Sequence, residues 1–165
     1  MSDRDYMDRF RVSYNSPLDF SYQTLSGHDF SGQDLSGANF TGADLTGASF
    51  VNACLVDATL DKANLTQTNF RYARLEGASF RQALVEKTSF RCATLSYSDF
   101  DGATLHSVDF TRADLSNATI SDLALKASVV TNAILPDWST IYETQLTLDG
   151  GYCISFGNSE LANFQ

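Results

Sequence analysis

The sequence is short of the residues that staple, kink or positively charge a chain. Its three cysteines, Cys54, Cys92 and Cys153, show no CxxC spacing. They therefore encode neither a disulfide framework nor a zinc site, and a reducing compartment is expected. There are only two prolines, Pro17 and Pro136. No run approaches the ~18 apolar residues of a membrane helix. The early part of the chain has no basic start followed by an apolar stretch. The expectation is a cytoplasmic protein with no membrane contact. Bases are outnumbered by acids, 11 to 20, for a net charge of −9. Such a chain is a poor generic nucleic-acid binder, so no direct nucleic-acid binding is expected. The apolar content is too regular for a disordered chain.

What the sequence does have is a period of five. From Phe20 to Leu135 every fifth residue is large and apolar, 24 positions in one phase: nine Phe, twelve Leu, two Val and one Ile. Two residues before each large position sits a small one. From Ala38 to Ala118, thirteen of these seventeen positions are Ala, and the exceptions are Thr68, Thr88, Ser98 and Val108. Five matches neither the helical period nor the strand period. It suits a chain that turns a corner every five residues, with the large and small residues inward and the other three in water. One unit can bury nothing alone, whereas stacked coils bury a continuous core.

Phe and Leu alternate, so the composite period is ten. An even number of units per coil stacks like on like, and two units enclose nothing, which makes four units the natural coil. Phe20, Phe40, Phe80 and Phe100 then line one wall, and Phe30, Phe50, Phe70, Phe90 and Phe110 the opposite one. Leu25, Leu45 and Leu65 belong to the remaining walls. Residues 17–136 make about six coils, a rod roughly 29 Å long at the usual strand spacing.

Segments such as "ADLTGASF", "GANFTGADL" and "RADLSNATI" resemble the A(D/N)LXX unit of pentapeptide repeat proteins over residues 17–136. The resemblance implies an all-β fold, a right-handed quadrilateral parallel β-helix, and it says far more about fold than about function. The best understood members protect DNA gyrase, the quinolone-resistance proteins among them, as rods similar to B-DNA in width and negative potential. Others, many of them cyanobacterial, serve as interaction scaffolds or regulators. "AILPD" at 133–137 is similar to the closing segment of several cyanobacterial members.

The ends read differently. In the first coil the small position carries Leu18, Gln23, His28 and Gln33, bulk that a terminal coil tolerates. Residues 1–16 are expected to form an N-terminal cap, with a short helix over 3–11 presenting Tyr6, Met7 and Phe10 to the open core. Ser2 would cap it and Asp3 and Asp5 would sit in its first turn. Residues 137–165 lose the repeat. Two apolar-rich runs around Asp149-Gly150-Gly151 suggest a hairpin. Trp138, Ile141, Leu146, Leu148, Ile154 and Phe156 are too many apolar groups to leave in water, so this tail either caps the last coil or forms a homodimer. In the gyrase-protecting relatives the C-terminal end is the dimer interface.

No catalytic, cofactor or metal constellation emerges. His28 sits at a lid position, and His106 points outward one coil from Glu86. Cys54 and Cys92 read as outward free thiols. Gly27, Gly32, Gly37, Gly42 and Gly47 recur every five residues, so they are corners and not a phosphate loop. The charge is banded. Residues 17–60 hold five acids and no base. Residues 61–95 hold three acids and six bases. Residues 96–136 hold five acids and two bases, and residues 137–165 hold four acids and no base. A positive belt does not suit a continuous DNA mimic. Asp61, Arg81 and Asp101 form a vertical ladder of alternating sign. Arg71 and Arg91 stack on one face with Arg74 and Arg112 close by, a candidate docking surface for an acidic protein segment. The leading expectation is a non-enzymatic interaction scaffold or regulator, and the alternative is a DNA-mimicking modulator of gyrase.

Overall fold

The computed structural model describes residues 17–136. The expected N-terminal cap over 1–16 lies outside the described residues. So does the expected cap or dimerisation tail, with Trp138, Ile141, Leu146, Leu148, Ile154 and Phe156.

The described chain is an all-β solenoid. Its bridges are parallel and join each residue to the one a full coil further on, from Asp19 with Asn39 to Asp114 with Ile134. Only one pairing is long enough to form strands. β1 (Leu84–Glu86) lies parallel to β2 (Thr104–His106), with Leu84 opposite Thr104 and Glu86 opposite His106. Elsewhere each wall contributes a single bridge residue before the chain turns. The ladder bonds rise from coil to coil: Phe20 N–H donates to Asn39 C=O at 2.7 Å, and Asn39 N–H to Leu18 C=O at 2.8 Å.

Most corners are closed by a backbone bond three residues back, as from Ala43 N–H to Phe40 C=O at 3.0 Å. The residue before the donor is left-handed. Seven glycines and fourteen other residues occupy such corners, among them Tyr22, Lys62, Tyr72, Cys92 and Arg112. The left-handed region costs a residue with a Cβ about 1–2 kcal/mol, so the fold holds these corners against local preference.

The core is the expected square. The large residues from Phe20 to Leu115 are buried, and the column of small residues from Ala38 to Ala93 lies beside them. Phenylalanines one coil apart stack nearly parallel: Phe30 and Phe50 at 4.9 Å, Phe80 and Phe100 at 4.5 Å. These spacings follow the strand separation. Across the core the two Phe walls meet edge to face, as Phe80 and Phe90 do at 5.6 Å and 87°. Such pairs add to the ~1.5–3 kcal/mol that burial of each ring contributes.

The ladder breaks at one place that the sequence phase does not mark. The wall that should follow Ser121 is a short helix, α1 (Asp122–Lys126). Ser121 begins it: its Oγ accepts from Ala124 N–H at 3.3 Å, an N-cap contact, and its carbonyl accepts from Leu125 N–H at 3.1 Å. The local sequence Asp-Leu-Ala-Leu-Lys is rich in helix formers, and position 123 carries Leu where the repeat prefers a small residue. The left-handed corners due at 122 and 127 are absent.

Candidate interaction surface

Four outer walls are built from the residues on either side of each large core position. On most of them an Asp or Asn side-chain oxygen braces the turn two residues on. Asp44 Oδ1 accepts from Thr46 N–H at 3.1 Å and from its hydroxyl at 2.6 Å, and Asn64 does the same for Thr66. This bonding holds Asp44 below the ordinary carboxylate range, first through the Thr46 hydroxyl and then through Ser26. Asp19 and Asp29 are lowered in the same way, by Ser21 and Ser31. These three carboxylates therefore stay charged at neutral pH.

The basic belt is less uniform than its composition. Arg91 Nη1 meets Asp109 at 3.4 Å, and Arg74 Nε meets Glu76 at 3.5 Å. Lys87 meets Glu86 at 3.4 Å. Arg81 reaches up to Asp101 at 3.6 Å and Asp99 at 3.8 Å. Below it, Asp61 takes the Arg81 backbone N–H at 3.0 Å and the Ser79 hydroxyl, so the ladder of alternating sign is an ion pair on its upper step and a hydrogen bond on its lower one.

No described carboxylate pairs with Arg71, Arg112 or Lys62. Arg71 and Arg91 do lie in successive coils, because the Tyr72 N–H donates to the Arg91 carbonyl at 3.0 Å. The Arg71 guanidinium instead sits over the Tyr72 ring, 5.8 Å from its centroid. Tyr72, Cys92 and Arg112 then occupy one corner in successive coils, and Lys62 lies half a coil away. The candidate surface thus resolves into two parts: Arg74 and Arg91, already matched by acids, and the unmatched Arg71, over an exposed tyrosine, and Arg112, two coils further along that corner. The sequence reading passed over Tyr72. The available signal was an aromatic next to an arginine at a corner position, where Tyr22 and Tyr97 have no such neighbour.

The remaining candidates stay apart. His28 stacks on Phe30 at 6.0 Å, and His106 faces Glu86 one coil below. Cys54 and Cys92 are free, half-buried thiols, and Cys54 touches the Ser36 hydroxyl at 3.0 Å. Among the described residues no group of three His, Cys, Asp or Glu side chains could hold a metal ion, and no helix is long and apolar enough to cross a membrane.

The profile of the family described as pentapeptide repeats matches the chain in eight copies, over residues 19–51, 48–85 and 87–122. The chain belongs to the pentapeptide repeat family. Solved structures of the same kind are similar to it. One is a pentapeptide repeat protein of the Arabidopsis thaliana thylakoid lumen, 27% identical over 78% of this chain and 83% of that one, TM-score 0.34. Another is QnrB1, a plasmid-mediated fluoroquinolone resistance protein, 24% identical over 76% of each chain, TM-score 0.36. A third is HetL of Nostoc sp. strain PCC 7120, involved in heterocyst differentiation regulation, 24% identical over 74% of each chain, TM-score 0.27. No curated protein sequence matches the chain. In pentapeptide repeat terms, Arg71, Tyr72 and Arg112 depart from the unit only at solvent positions, which leaves the core pattern intact.

Proposed function

We propose that this pentapeptide repeat protein is a non-enzymatic interaction scaffold or regulator. It presents a rigid, right-handed rod of about six coils over residues 17–136, between an N-terminal cap at 1–16 and a C-terminal segment at 137–165. The observation that carries this reading is the corner at Arg71, Tyr72 and Arg112. Arg74, Arg81, Lys87 and Arg91 are matched by nearby acids, whereas these two arginines are not; Arg71 lies over the Tyr72 ring and Arg112 stands two coils above it at the same corner. An exposed aromatic under one unpaired guanidinium, with a second unpaired guanidinium further along the same corner, suits an acidic protein segment. Such a partner would be met in the cytoplasm.

The test is affinity capture from the native host with wild type and an Arg71→Glu/Arg112→Glu pair. The pair should lose a specific partner, while Arg74→Ala should keep it. Equal recovery by all three would remove the corner from the interface.

A second reading, modulation of gyrase by DNA mimicry, draws on one observation. The first two coils carry acids and no base, and hydrogen bonds hold Asp19, Asp29 and Asp44 in their charged form. The belt at 61–95 interrupts that field. Supercoiling by gyrase with a quinolone present decides between the readings: neither inhibition nor protection at micromolar protein would leave only the scaffold.

A further inference from the structure

One wall of the rod loses its ladder where α1 replaces it. Two coils earlier the same wall is complete. There Lys62, Leu65 and Gln67 donate their N–H groups upward to Arg81, Leu84 and Glu86, and the Ala63 carbonyl accepts from Leu84, all at 2.8–3.0 Å. The equivalent groups below α1 are the N–H of Gly102, Leu105 and Ser107 and the carbonyl of Ala103. None of the four has a backbone partner among the described residues. The core under this gap is also less well sealed. Leu105 is 9% exposed and Ala103 only partly buried, whereas Leu65 and Ala63 are both at 0%.

No change of chain length causes the gap. Thr119 bridges Asp99 before the helix, and Val129 bridges Asp109 after it. These two bridge residues are two five-residue units apart, the same separation as Thr59 and Asn69 in a complete coil. The chain leaves the helix through an ordinary corner bond, from Ser128 N–H to Leu125 C=O at 3.1 Å. Leu125 keeps the large-residue phase and already packs against the core. Both ends of 121–127 are thus anchored where a regular wall would begin and end.

What holds the segment helical is local. Ser121 Oγ caps the Ala124 N–H, and the sequence favours a helix. A wall would need left-handed corners at Asp122 and Ala127, and a small residue at 123 where the chain has Leu. What opposes the helix is the row of four ladder groups it leaves without partners.

We infer that residues 121–127 are a two-state element, in which α1 exchanges with a wall form that pairs in register with 102–107 and seals Leu105. The helical form presents the upper edge of β2, and the wall form closes that edge with the chain's own residues. The inference goes beyond the scaffold reading and is independent of the partner assigned to the Arg71 corner, which is built from other residues.

NMR and amide hydrogen exchange of the full chain test it, with two variants that push in opposite directions. Asp122→Pro suits the first helical position and forbids a left-handed corner there. Leu123→Ala/Ala127→Gly restores a small residue and a glycine corner. In wild type, 121–127 and the amides of Gly102, Leu105 and Ser107 should show exchange broadening on the μs–ms scale. The broadening should vanish in Asp122→Pro, with helical carbon shifts kept at 123–126. The Leu123→Ala/Ala127→Gly pair should lose those shifts. It should also slow hydrogen exchange at Gly102, Leu105 and Ser107 by at least about tenfold, toward that of Lys62, Leu65 and Gln67. Two results would overturn the inference: a wild type without broadening that matches Asp122→Pro at the three amides, or a pair that stays helical with those amides unprotected.

Discussion

The Thr68 hydroxyl donates to the Leu45 carbonyl at 2.9 Å from a side chain only 1% exposed. One coil on, Thr88 repeats the bond to Leu65 at 2.6 Å. These two residues interrupt the alanine column, yet each hydroxyl is satisfied, so neither is a buried polar fault. The Leu45 carbonyl also accepts from Ala48 N–H at 2.9 Å, and Val108 fills the same column without a hydroxyl. Thr68→Val should therefore cost about 1 kcal/mol or less, the lost bond alone. Thr68→Ala should cost about 1–2 kcal/mol, because it also removes buried volume. Urea unfolding measures both, and equal costs would show that the hydroxyl, not the volume, matters here.

The corners give a test of backbone strain. Gly47 has φ +67°, and an added Cβ would meet no atom within 4 Å. Gly47→Ala should thus cost only the left-handed penalty, about 1 kcal/mol. Gln67 lies one coil above with φ 59°. Gln67→Gly relieves that penalty but adds unfolded-chain entropy worth about 0.5–1 kcal/mol, so the expected change is neutral to about 1 kcal/mol stabilising. A clear loss of stability in Gln67→Gly would show that the Gln67 side chain contributes contacts of its own.

The Phe walls predict a graded response. Phe80 is fully buried, stacks on Phe100 at 4.5 Å and meets Phe90 edge to face. Phe80→Ala should cost about 3–5 kcal/mol. Phe80→Leu should cost under about 2 kcal/mol, since Leu60 already occupies the same wall one coil below, fully buried. Denaturation midpoints that fall equally for both would mean that the aromatic stack, not filled volume, sets the stability of this wall.

How far the sequence could be read depended on what repeats. The four-unit coil, the two Phe walls and the glycine corners follow from periods of five and ten, which repetition makes redundant. The bonds of Thr68 and Thr88 were visible only as exceptions to Ala, because each hydroxyl's partner lies more than a full coil back along the chain. The helix α1 was invisible to phase counting: Leu125 keeps the five-residue register while the backbone around it coils instead of bridging. The belt was legible as net charge. Its division into paired Arg91 and unpaired Arg71 was not, since it depends on whether an acid such as Asp109 stands within reach in the next coil.

Acid sensitivity follows from the turn-bracing carboxylates. Asp44 has its pKa lowered in the folded chain, chiefly by the Thr46 hydroxyl and then by Ser26, and Asp19 by the Ser21 N–H. A lowered folded pKa means that the unfolded chain binds protons more readily. The stabilisation is therefore complete above the unfolded value of about 3.9 and is lost as pH falls through the folded value below it. Asp19 is exposed and Asp44 half-buried at the surface, so each contribution is small and salt-dependent. Asn64 makes the same two bonds to Thr66 without titrating. Asp44→Asn should consequently change stability little at pH 7 and flatten the loss below pH ~4. Thermal melts from pH 7 to pH 2.5 check this. An acid limb as steep in Asp44→Asn as in wild type would place the acid-labile groups elsewhere on the rod.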